Sequence, residues 1–253
     1  MSDYSLFYIL LLMTTGLIAG VVNTLAGGGS NLTIPALMIM GMPPEIANAT
    51  NRVGVFLQTL VAVKSFKKYD KLPTKGVLAI LVPTLLGGIL GAASASYMPN
   101  GLLKPVLLGA MVAMALLILL KPSTVMPPQG ARVLNVSESP TAFLSLLGAG
   151  FYGGFVQAGV GFILLAALAG SLRYDLVRAN ALKMVCTGVF TAVALVIFIA
   201  RNQIAWVPGL ILASGTMVGA HFAVKLAINV SQRTLKLFLF FMTLFACTAA
   251  LFI

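Results

Sequence analysis

The sequence predicts an all-α polytopic membrane protein with two inverted repeats, each made of a glycine-broken short-helix hairpin plus three transmembrane helices. Three observations predict this fold: the composition, the distribution of charged residues and an internal repeat. Of the 253 residues, 60% are hydrophobic and 8% are charged, and the mean hydropathy is +1.05. A soluble domain usually carries about a quarter charged residues. The composition therefore indicates a chain that lies in a lipid bilayer.

Long stretches without a charged residue mark the membrane segments. One runs from Tyr4 to Pro44, and the others cover 76–103, 105–120, 139–172, 184–200 and 237–253. A spanning helix needs roughly 20 predominantly apolar residues. The first half is predicted to hold long segments at 5–23, 46–65, 76–98 and 102–120, and the second half at 141–157, 179–200, 204–225 and 235–253. Two shorter segments, 30–41 and 160–171, cannot cross the bilayer as straight helices and are predicted to be half-helices or limbs of a re-entrant hairpin.

An internal repeat relates the two halves. The run GLIAGVVNTLAG (16–27) matches GFYGGFVQAGVG (150–161), with three glycines and one amide side chain at a common spacing of 134. Further along, ANAT (47–50) matches ANAL (179–182) in the same order. We therefore divide the chain into a first transmembrane repeat, 1–120, a cytoplasmic linker, 121–140, and a second transmembrane repeat, 141–253.

Basic residues indicate how the repeats are oriented. The loop KSFKKYDKLPTK (64–75) holds five lysines, and cytoplasmic loops of membrane proteins collect Lys and Arg. If each glycine-broken pair enters and leaves on one side, the linker and the loops 171–183 and 225–236 share that cytoplasmic side. If each pair crosses once, many of these basic residues move outside. Positive-inside bias thus favours inverted repeats, and it accounts for the net charge of +11 without nucleic acid as a partner.

A run of three glycines, Gly27 to Gly29, interrupts the first apolar segment. Polar side chains flank it, namely Asn23, Ser30 and Asn31. Irregular backbone is tolerated at membrane depth only where it faces protein or a wet cavity. The half-helix that begins near Ser30 directs unpaired N–H groups and the positive end of its dipole at the break, which favours an anion. The other glycine pairs, Gly16/Gly20, Gly87/Gly91 and Gly215/Gly219, are predicted to allow close helix packing instead.

A second polar cluster begins one long segment in each half. In the first half it is ANATNR, with Asn48, Thr50, Asn51 and Arg52, and in the second half it is ANALK, with Asn180 and Lys183. One interpretation is an interfacial helix start, with the two cations reaching lipid headgroups. The other is an anion site, in which the two paired asparagines donate N–H groups to an oxyanion.

These residues resemble a known family. The run GLIAGVVNTLAGGGSNLTIPALMIMGMPPEIANATN, with its weaker second copy at GFYGGFVQAGVGFILLAALAG and RANALK, is similar to the TauE/SafE family of sulfite exporters, also called the toluene sulfonate uptake permease family. The resemblance covers essentially the whole chain. It implies a multi-pass permease of the cytoplasmic (inner) membrane that moves small sulfur-containing anions such as sulfite, sulfoacetate, sulfonates or thiosulfate. The second copy departs from the first, with Gly159-Val160-Gly161 in place of three glycines and Leu182 in place of threonine.

The predicted substrate site combines both breaks and both polar clusters. Its residues are Asn23, Gly27, Gly28, Gly29, Ser30, Asn31, Asn48, Thr50, Asn51, Arg52, Gln157, Gly159, Gly161, Asn180 and Lys183. No catalytic residue, metal ligand or cofactor is predicted. The expected partners are a small organosulfur or inorganic sulfur anion and the lipid bilayer, and a homo-oligomer is left open.

Two other classes of function compete with an anion permease, namely an integral-membrane enzyme and a transporter of a neutral or cationic solute. An integral-membrane enzyme is disfavoured because the chain has one histidine, His221, and five acidic residues, without a metalloprotease motif or paired acids at helical spacing. A transporter of a cation would need carboxylates inside the membrane segments, and Glu45 lies at a loop. A transporter of a neutral small solute stays open as an alternative. The direction of transport and its coupling to protons are also left open.

Overall fold

The structure is a computed structural model that describes residues 6–120 and 132–229. The described residues form nine α-helices, joined in places by shorter helical turns. The helices are α1 Leu6–Leu25, α2 Ser30–Ile39, α3 Pro44–Lys68, α4 Val77–Tyr97, α5 Asn100–Leu120, α6 Pro140–Phe155, α7 Val160–Leu165, α8 Leu176–Ala200 and α9 Trp206–Asn229. A π-helical turn, Ala166–Ser171, extends α7, and a 3₁₀ turn, Val136–Glu138, precedes α6. The predicted segment 235–253 lies outside the described residues.

The prediction of an all-α polytopic membrane protein is confirmed. No strand occurs in the described part of the chain. Four helices, α1, α4, α8 and α9, are long and apolar enough to cross a membrane. Helix α3 has 25 residues and therefore also has the length to cross. Most predicted segments match a helix to within three residues at each end, although α7 loses regular α geometry after Leu165.

Local sequence signals set where several helices begin. Pro44 and Pro140 occupy the first turn of α3 and α6, where a missing N–H costs nothing because that donor has no partner inside the helix. The Asp175 carboxylate caps α8 by accepting hydrogen bonds from the amides of Val177 and Arg178, at 3.1 and 2.9 Å. This cap stabilises the start of α8, and the charged side chain of Asp175 lies in the loop before the apolar span.

Glycine-lined contacts join the two halves in two equivalent places. Helix α1 packs on α9, where a side chain at Gly16 or Gly20 would overlap the backbone of Leu212 or Thr216. Helix α4 packs on α6 in the same way, with Gly87 against the backbone of Leu147. Small residues let helix backbones approach closely in membranes. The predicted packing role of these glycine pairs is confirmed.

The contacts also define the directions of the helices. Along α9, Gly215 lies against Met13 and Leu17, and Gly219 lies one turn further along α1, so α1 and α9 are parallel. The contacts of Gly87 and Gly91 show in the same way that α4 and α6 are parallel. Helices α3 and α8 are antiparallel, because Thr59 lies beside Gly188 whereas Arg52 lies beside Phe198. Helix α3 is parallel to α9, because Thr50 lies beside Ala205 and Gly54 lies beside Thr216. Helix α4 is parallel to α8, because Gly88 lies beside Phe190 and Ser96 lies beside Gln203. Helices α1, α3 and α9 therefore run one way, and α4, α6 and α8 run the other way.

The short helix α2 returns along α1. Its first residue, Ser30, is bonded to Asn51 of α3. Its later residue Leu37 shares a buried cluster with Leu12 near the start of α1 and Ala47 near the start of α3. Because α1 and α3 run in the same direction, the chain must reverse between them. The α1–α2 pair is thus a helical hairpin whose tip, the first break, is buried in the protein.

Candidate functional site

Each half contains one break of four residues between helices. The first break, Ala26 to Gly29, turns at Gly27 with φ of +88°. The second break, Val156 to Gly159, turns at Gln157 with φ of +69° and at Gly159 with φ of +78°. Glycine adopts positive φ without steric cost, whereas a side chain such as that of Gln157 is uncommon there. Both breaks are buried, so their backbone groups face protein rather than lipid.

The two breaks touch each other at the centre of the molecule. The amide of Gly161 donates to the carbonyl oxygen of Gly27 at 3.3 Å. A Cβ on either glycine would overlap the backbone of the other one. The sequence pairs these same two positions between repeats, and the structure brings them into direct contact.

Arg52 lies buried on α3 and binds the end of α6. Its Nη1 donates to the carbonyl of Gly153 at 2.6 Å and to Oε1 of Gln157 at 2.5 Å. Its Nη2 donates to the carbonyls of Gly154 and Phe155 at 2.7 and 3.2 Å. These carbonyls lie in the last turn of α6, where no later amide of the helix satisfies them. Arg52 therefore caps the broken helix of the opposite half.

Lys183 does the same for the end of α1. Its Nζ donates to the carbonyls of Asn23 and Thr24, at 3.0 and 2.9 Å, and to Oδ1 of Asn180 at 2.8 Å. Both cations are fully enclosed, with exposed fractions of 0% for Arg52 and 1% for Lys183. The interpretation in which these two side chains reach lipid headgroups is therefore wrong. It fails because the broken helices leave buried carbonyls that a cation can satisfy, a feature invisible in the local sequence of α3 or α8.

Among the described residues, neither buried cation has a carboxylate partner. In the described ranges the ion pairs join Arg132 to Glu138 and Arg178 to Asp175. The side chains of the first pair are at least 37% exposed, and those of the second pair are at least 42% exposed. The negative helix ends offset part of the charge, since a helix C-terminus carries roughly half an elementary charge. The interior thus retains an excess of positive charge. Such a site favours an anion.

The paired asparagines differ in their hydrogen bonds. Asn48 donates through Nδ2 to the carbonyl of Phe155 at 3.0 Å, and its Oδ1 lies 3.5 Å from Nη2 of Arg52. Asn180 accepts from Lys183, but its own Nδ2 is buried without a partner among the described residues. A buried unpaired donor costs about 1–3 kcal/mol. Of the two paired asparagines, only Asn180, beside Lys183, keeps an unpaired donor in the described structure.

A network of polar side chains surrounds the first break. Asn51 donates to Oγ of Ser30 at 3.0 Å and accepts from the hydroxyl of Thr33 at 2.5 Å. On the other side of the break, Asn23 donates to Oε1 of Gln58 at 3.3 Å. After the break, the first amide that donates to the backbone is that of Asn31, which bonds the carbonyl of Gly28. The amides of residues 28–30 precede that bond, as expected at the start of a helix.

The predicted residues fall into three groups in the structure. Around Arg52 lie Asn48, Gln157 and the end of α6, and around Lys183 lie Asn180 and Asn23. Between the breaks lie Gly27, Gly28, Gly29, Ser30, Asn31, Asn51, Gly159 and Gly161. Thr50 stands apart, because its hydroxyl accepts from the amide of Ala205 at 3.0 Å and pins the α8–α9 loop.

Several residues of the network were not predicted. Gln58 ties Asn23, Thr24 and Gly20 together from α3, and Thr191 accepts from Nε2 of Gln157 at 3.3 Å. An amide side chain in the middle of an apolar span was the available signal for Gln58. The described residues contain no group of three or more His, Cys, Asp or Glu side chains able to hold a metal ion.

Comparison with known proteins gives a consistent result. Residues 12–250 match the protein family described as sulfite exporter TauE/SafE. A "Probable membrane transporter protein" of Haemophilus influenzae is 26% identical over 238 residues, which covers 92% of this chain and 91% of that protein. The "Probable membrane transporter protein ORF9" of a Sinorhizobium species is 26% identical and covers 93% of this chain and 89% of its own length. The Escherichia coli K12 "Probable membrane transporter protein YfcA" is 25% identical, with 89% and 82% covered.

Proposed function

Because this chain belongs to the sulfite exporter TauE/SafE family, we propose that it is a secondary transporter of small sulfur-containing anions such as sulfite, sulfoacetate, sulfonates or thiosulfate. It is a multi-pass membrane protein, and its relatives bear the names of membrane transporters rather than enzymes. The cytoplasmic (inner) membrane is the proposed location. The finer assignment to sulfur anions rests on the chemistry of the buried site.

One observation carries the proposal: two buried cations lie at two broken helices without a carboxylate partner in the described residues. Taking a charge out of water costs several kcal/mol unless it is paired and hydrogen-bonded. The acceptors around Arg52 and Lys183 are neutral carbonyl and amide oxygens, which satisfy the N–H donors but leave the net charge in place. A sulfur oxyanion supplies that missing charge.

Donors for the anion are available close to the cations. Nδ2 of Asn180 and Nε of Arg52 are buried without partners in the described structure. The amides of Gly28, Gly29 and Ser30 lie at the positive end of α2. Sulfite and sulfonates present three oxygens that accept such bonds, and hydrogen bonds to a charged group contribute about 1.5–3 kcal/mol each. We therefore retain the predicted residue set, apart from Thr50, as the proposed substrate site.

Inverted repeats supply the route for alternating access. Helices α1 and α3 run opposite to α6 and α8, which supports an inverted relation between 1–120 and 141–253. Arg52 lies eight residues after the start of α3, and Lys183 lies seven after the start of α8. The two cations are therefore about 10–12 Å along oppositely directed helices. We propose that the anion passes from one to the other as the Gly27–Gly161 contact opens.

Uptake into proteoliposomes tests this function. Labelled sulfite, sulfoacetate and thiosulfate are offered to vesicles with and without the purified protein, and with and without a proton gradient. At least one anion should accumulate inside protein-containing vesicles, and an excess of unlabelled anion should compete. Uptake of a neutral solute without any response to the three anions would contradict the proposal. Thermal stabilisation of the detergent-solubilised protein by the same anions gives an independent measure of binding.

A further inference from the structure

The two equivalent cations differ in one chemical property. Arg52 and Lys183 follow the repeated Asn-Ala motif, are buried to the same degree, and cap the broken helix of the opposite half. An arginine keeps its charge under all conditions met in proteins, whereas a buried lysine readily gives up its proton. The pair therefore combines one permanent charge with one charge that can be removed.

The surroundings of Lys183 are compatible with both the protonated and the neutral form of its amine. Its three ammonium protons have three acceptors, all of them neutral: the carbonyls of Asn23 and Thr24 and the amide oxygen of Asn180. No ion pair holds the ammonium in the described structure. An anion beside Lys183 stabilises the protonated form. Departure of that anion leaves a buried, uncompensated charge, which favours loss of the proton.

The side chain of Asn180 can serve both protonation states. In the structure its Oδ1 accepts from Nζ, and its Nδ2 has no partner. A neutral amine has a lone pair that accepts a hydrogen bond. A half-turn of the Asn180 amide exchanges Oδ1 and Nδ2, so that Nδ2 donates to that lone pair. Arg52 has no counterpart of this arrangement, because Nδ2 of Asn48 is already bonded to the carbonyl of Phe155.

Other titratable groups on the neighbouring helices are remote or already bonded. On α3, Lys64 is exposed, and Glu45 lies in the first turn, at the far end from Lys183. Helix α1 carries Tyr8 near its start, and α4 carries Tyr97 at its end. On α6, the Tyr152 hydroxyl donates to the carbonyl of Ala158 at 2.8 Å. Cys186 on α8 is a buried thiol that is hydrogen-bonded to the side chain of Thr84. Lys183 is thus the group best placed to carry a proton through the centre.

We propose that Nζ of Lys183 binds the coupling proton, so that one proton moves with each anion. The inference rests on the proposed anion transport. The proton enters on the lone pair of the neutral amine from water on one side, stays while the anion is bound, and leaves to water on the other side after the anion departs. Arg52 keeps its charge throughout and holds α6 in place.

Proton flux and anion flux measured in the same vesicles test this proposal. Thiosulfate is the probe, because it remains fully ionised across the tested pH range and crosses lipid only through the protein. A pH indicator is trapped inside the proteoliposomes, and the membrane voltage is clamped with potassium and valinomycin. The wild-type protein should acidify the interior as thiosulfate enters. An inward proton gradient of one pH unit should raise thiosulfate accumulation about tenfold, since one proton across one pH unit provides about 1.4 kcal/mol.

Matched variants assign the proton to Lys183. Lys183→Arg keeps a positive charge at this position, but the arginine does not release its proton. Thiosulfate should therefore still stabilise this variant against heat. Its thiosulfate transport should carry no protons and should no longer respond to the pH gradient. Lys64→Arg, on an exposed side chain, should behave as the wild type, and so should His221→Gln on the exposed face of α9. Proton flux that survives in Lys183→Arg, or is lost in His221→Gln, would overturn the assignment.

The experiment separates failure of the inference from failure of the proposed function. Thiosulfate uptake by the wild type without proton flux overturns the inference and leaves the transporter intact. Absence of thiosulfate binding and uptake in the wild type overturns both. If Lys183→Arg does not fold, the wild-type flux and the His221→Gln and Tyr152→Phe variants still decide the result, because loss of proton flux in either of those two variants would place the proton elsewhere.

Discussion

The two ends of the polar interior are built on one plan but are held differently. At the Arg52 end, four oxygens of α6 and Gln157 bind one guanidinium, and Asn48 adds a bond to the same helix end. At the Lys183 end, one ammonium makes three bonds, and the neighbouring asparagine keeps a free donor. The guanidinium of Arg52 therefore makes more hydrogen bonds than the ammonium of Lys183, and in the described structure each end keeps one buried free donor, Nε of Arg52 or Nδ2 of Asn180. The two halves thus differ in how firmly the buried cation is held.

The breaks differ in the same sense. After the first break the chain continues with Ser30, Asn31 and Thr33, and after the second break with Val160 and Phe162. The two breaks also lie at different distances from the glycines at which α1 and α6 pack on their partner helices. Helix α1 ends five residues after Gly20, whereas α6 ends one residue after Gly154, which is about one helical turn sooner. Polar donors are therefore concentrated at the first break.

The largest effect is expected in a cysteine-labelling experiment, which tests whether the Arg52 end and the Lys183 end belong to oppositely oriented halves. Single cysteines at Lys71 and Arg173, in a background without Cys186 and Cys247, should both react only with a reagent on the cytoplasmic side. A cysteine at Asn202 should react only from the opposite side, because α8 separates it from Arg173. Labelling of Lys71 and Arg173 positions from opposite faces would show parallel repeats and remove the basis of the comparison.

The next effect separates glycines that bear on the fold from those that bear on the site. Gly27→Ala places a side chain at positive φ against the backbone of Gly161, so we expect little folded protein. The methyl group of Gly28→Ala meets only side-chain atoms, at 3.4 Å from Cε2 of Phe162, 3.8 Å from Nδ2 of Asn31 and 3.9 Å from Cγ1 of Val22. This variant should give monodisperse protein in detergent but lose most anion transport, because the methyl group covers the amides of the break. Full transport by Gly28→Ala would restrict the glycine run to a packing role.

A smaller effect compares the two cations in the folded protein. Arg52→Met removes four hydrogen bonds of 3.2 Å or less, and Lys183→Met removes three. Each hydrogen bond to a charged group contributes about 1.5–3 kcal/mol. We therefore expect a lower melting temperature for Arg52→Met than for Lys183→Met, measured by the unfolding of each variant in detergent. Equal melting temperatures would indicate that both ends support the fold to the same extent.

The smallest effect concerns the paired asparagines. Asn180→Ala removes a free donor and should weaken anion binding by roughly 1.5–3 kcal/mol, the value of a hydrogen bond to a charged group. Asn48→Ala removes a bond to Phe155 and should lower stability by about 1 kcal/mol while leaving anion affinity closer to that of the wild type. Titration of each variant with sulfite, followed by thermal shift, measures both quantities. A larger affinity loss in Asn48→Ala would reverse the roles of the two ends.

The sequence predicts the helices well because membrane segments are set by the length of apolar runs and by glycine breaks. The positions of α1, α2 and α4 follow directly from those signals. The roles of Arg52 and Lys183 could not be predicted in the same way, because each binds carbonyls more than 100 residues away along the chain. Every residue has a backbone carbonyl, so the residue types do not show which carbonyls a cation will bind. Gln58 was missed for a similar reason, since its partners Asn23 and Thr24 become neighbours only when α3 packs beside α1.

The contact between Gly27 and Gly161 has a consequence for the ancestry of the chain. In a forerunner assembled from two identical half-length chains inserted in opposite directions, these glycines would have been a single position that faced its own copy across a two-fold axis. Any substitution there would have introduced two side chains at once into a space that holds none. In the present chain the two positions can change separately, but each glycine still limits the other, because a Cβ on either one would overlap the backbone of its neighbour.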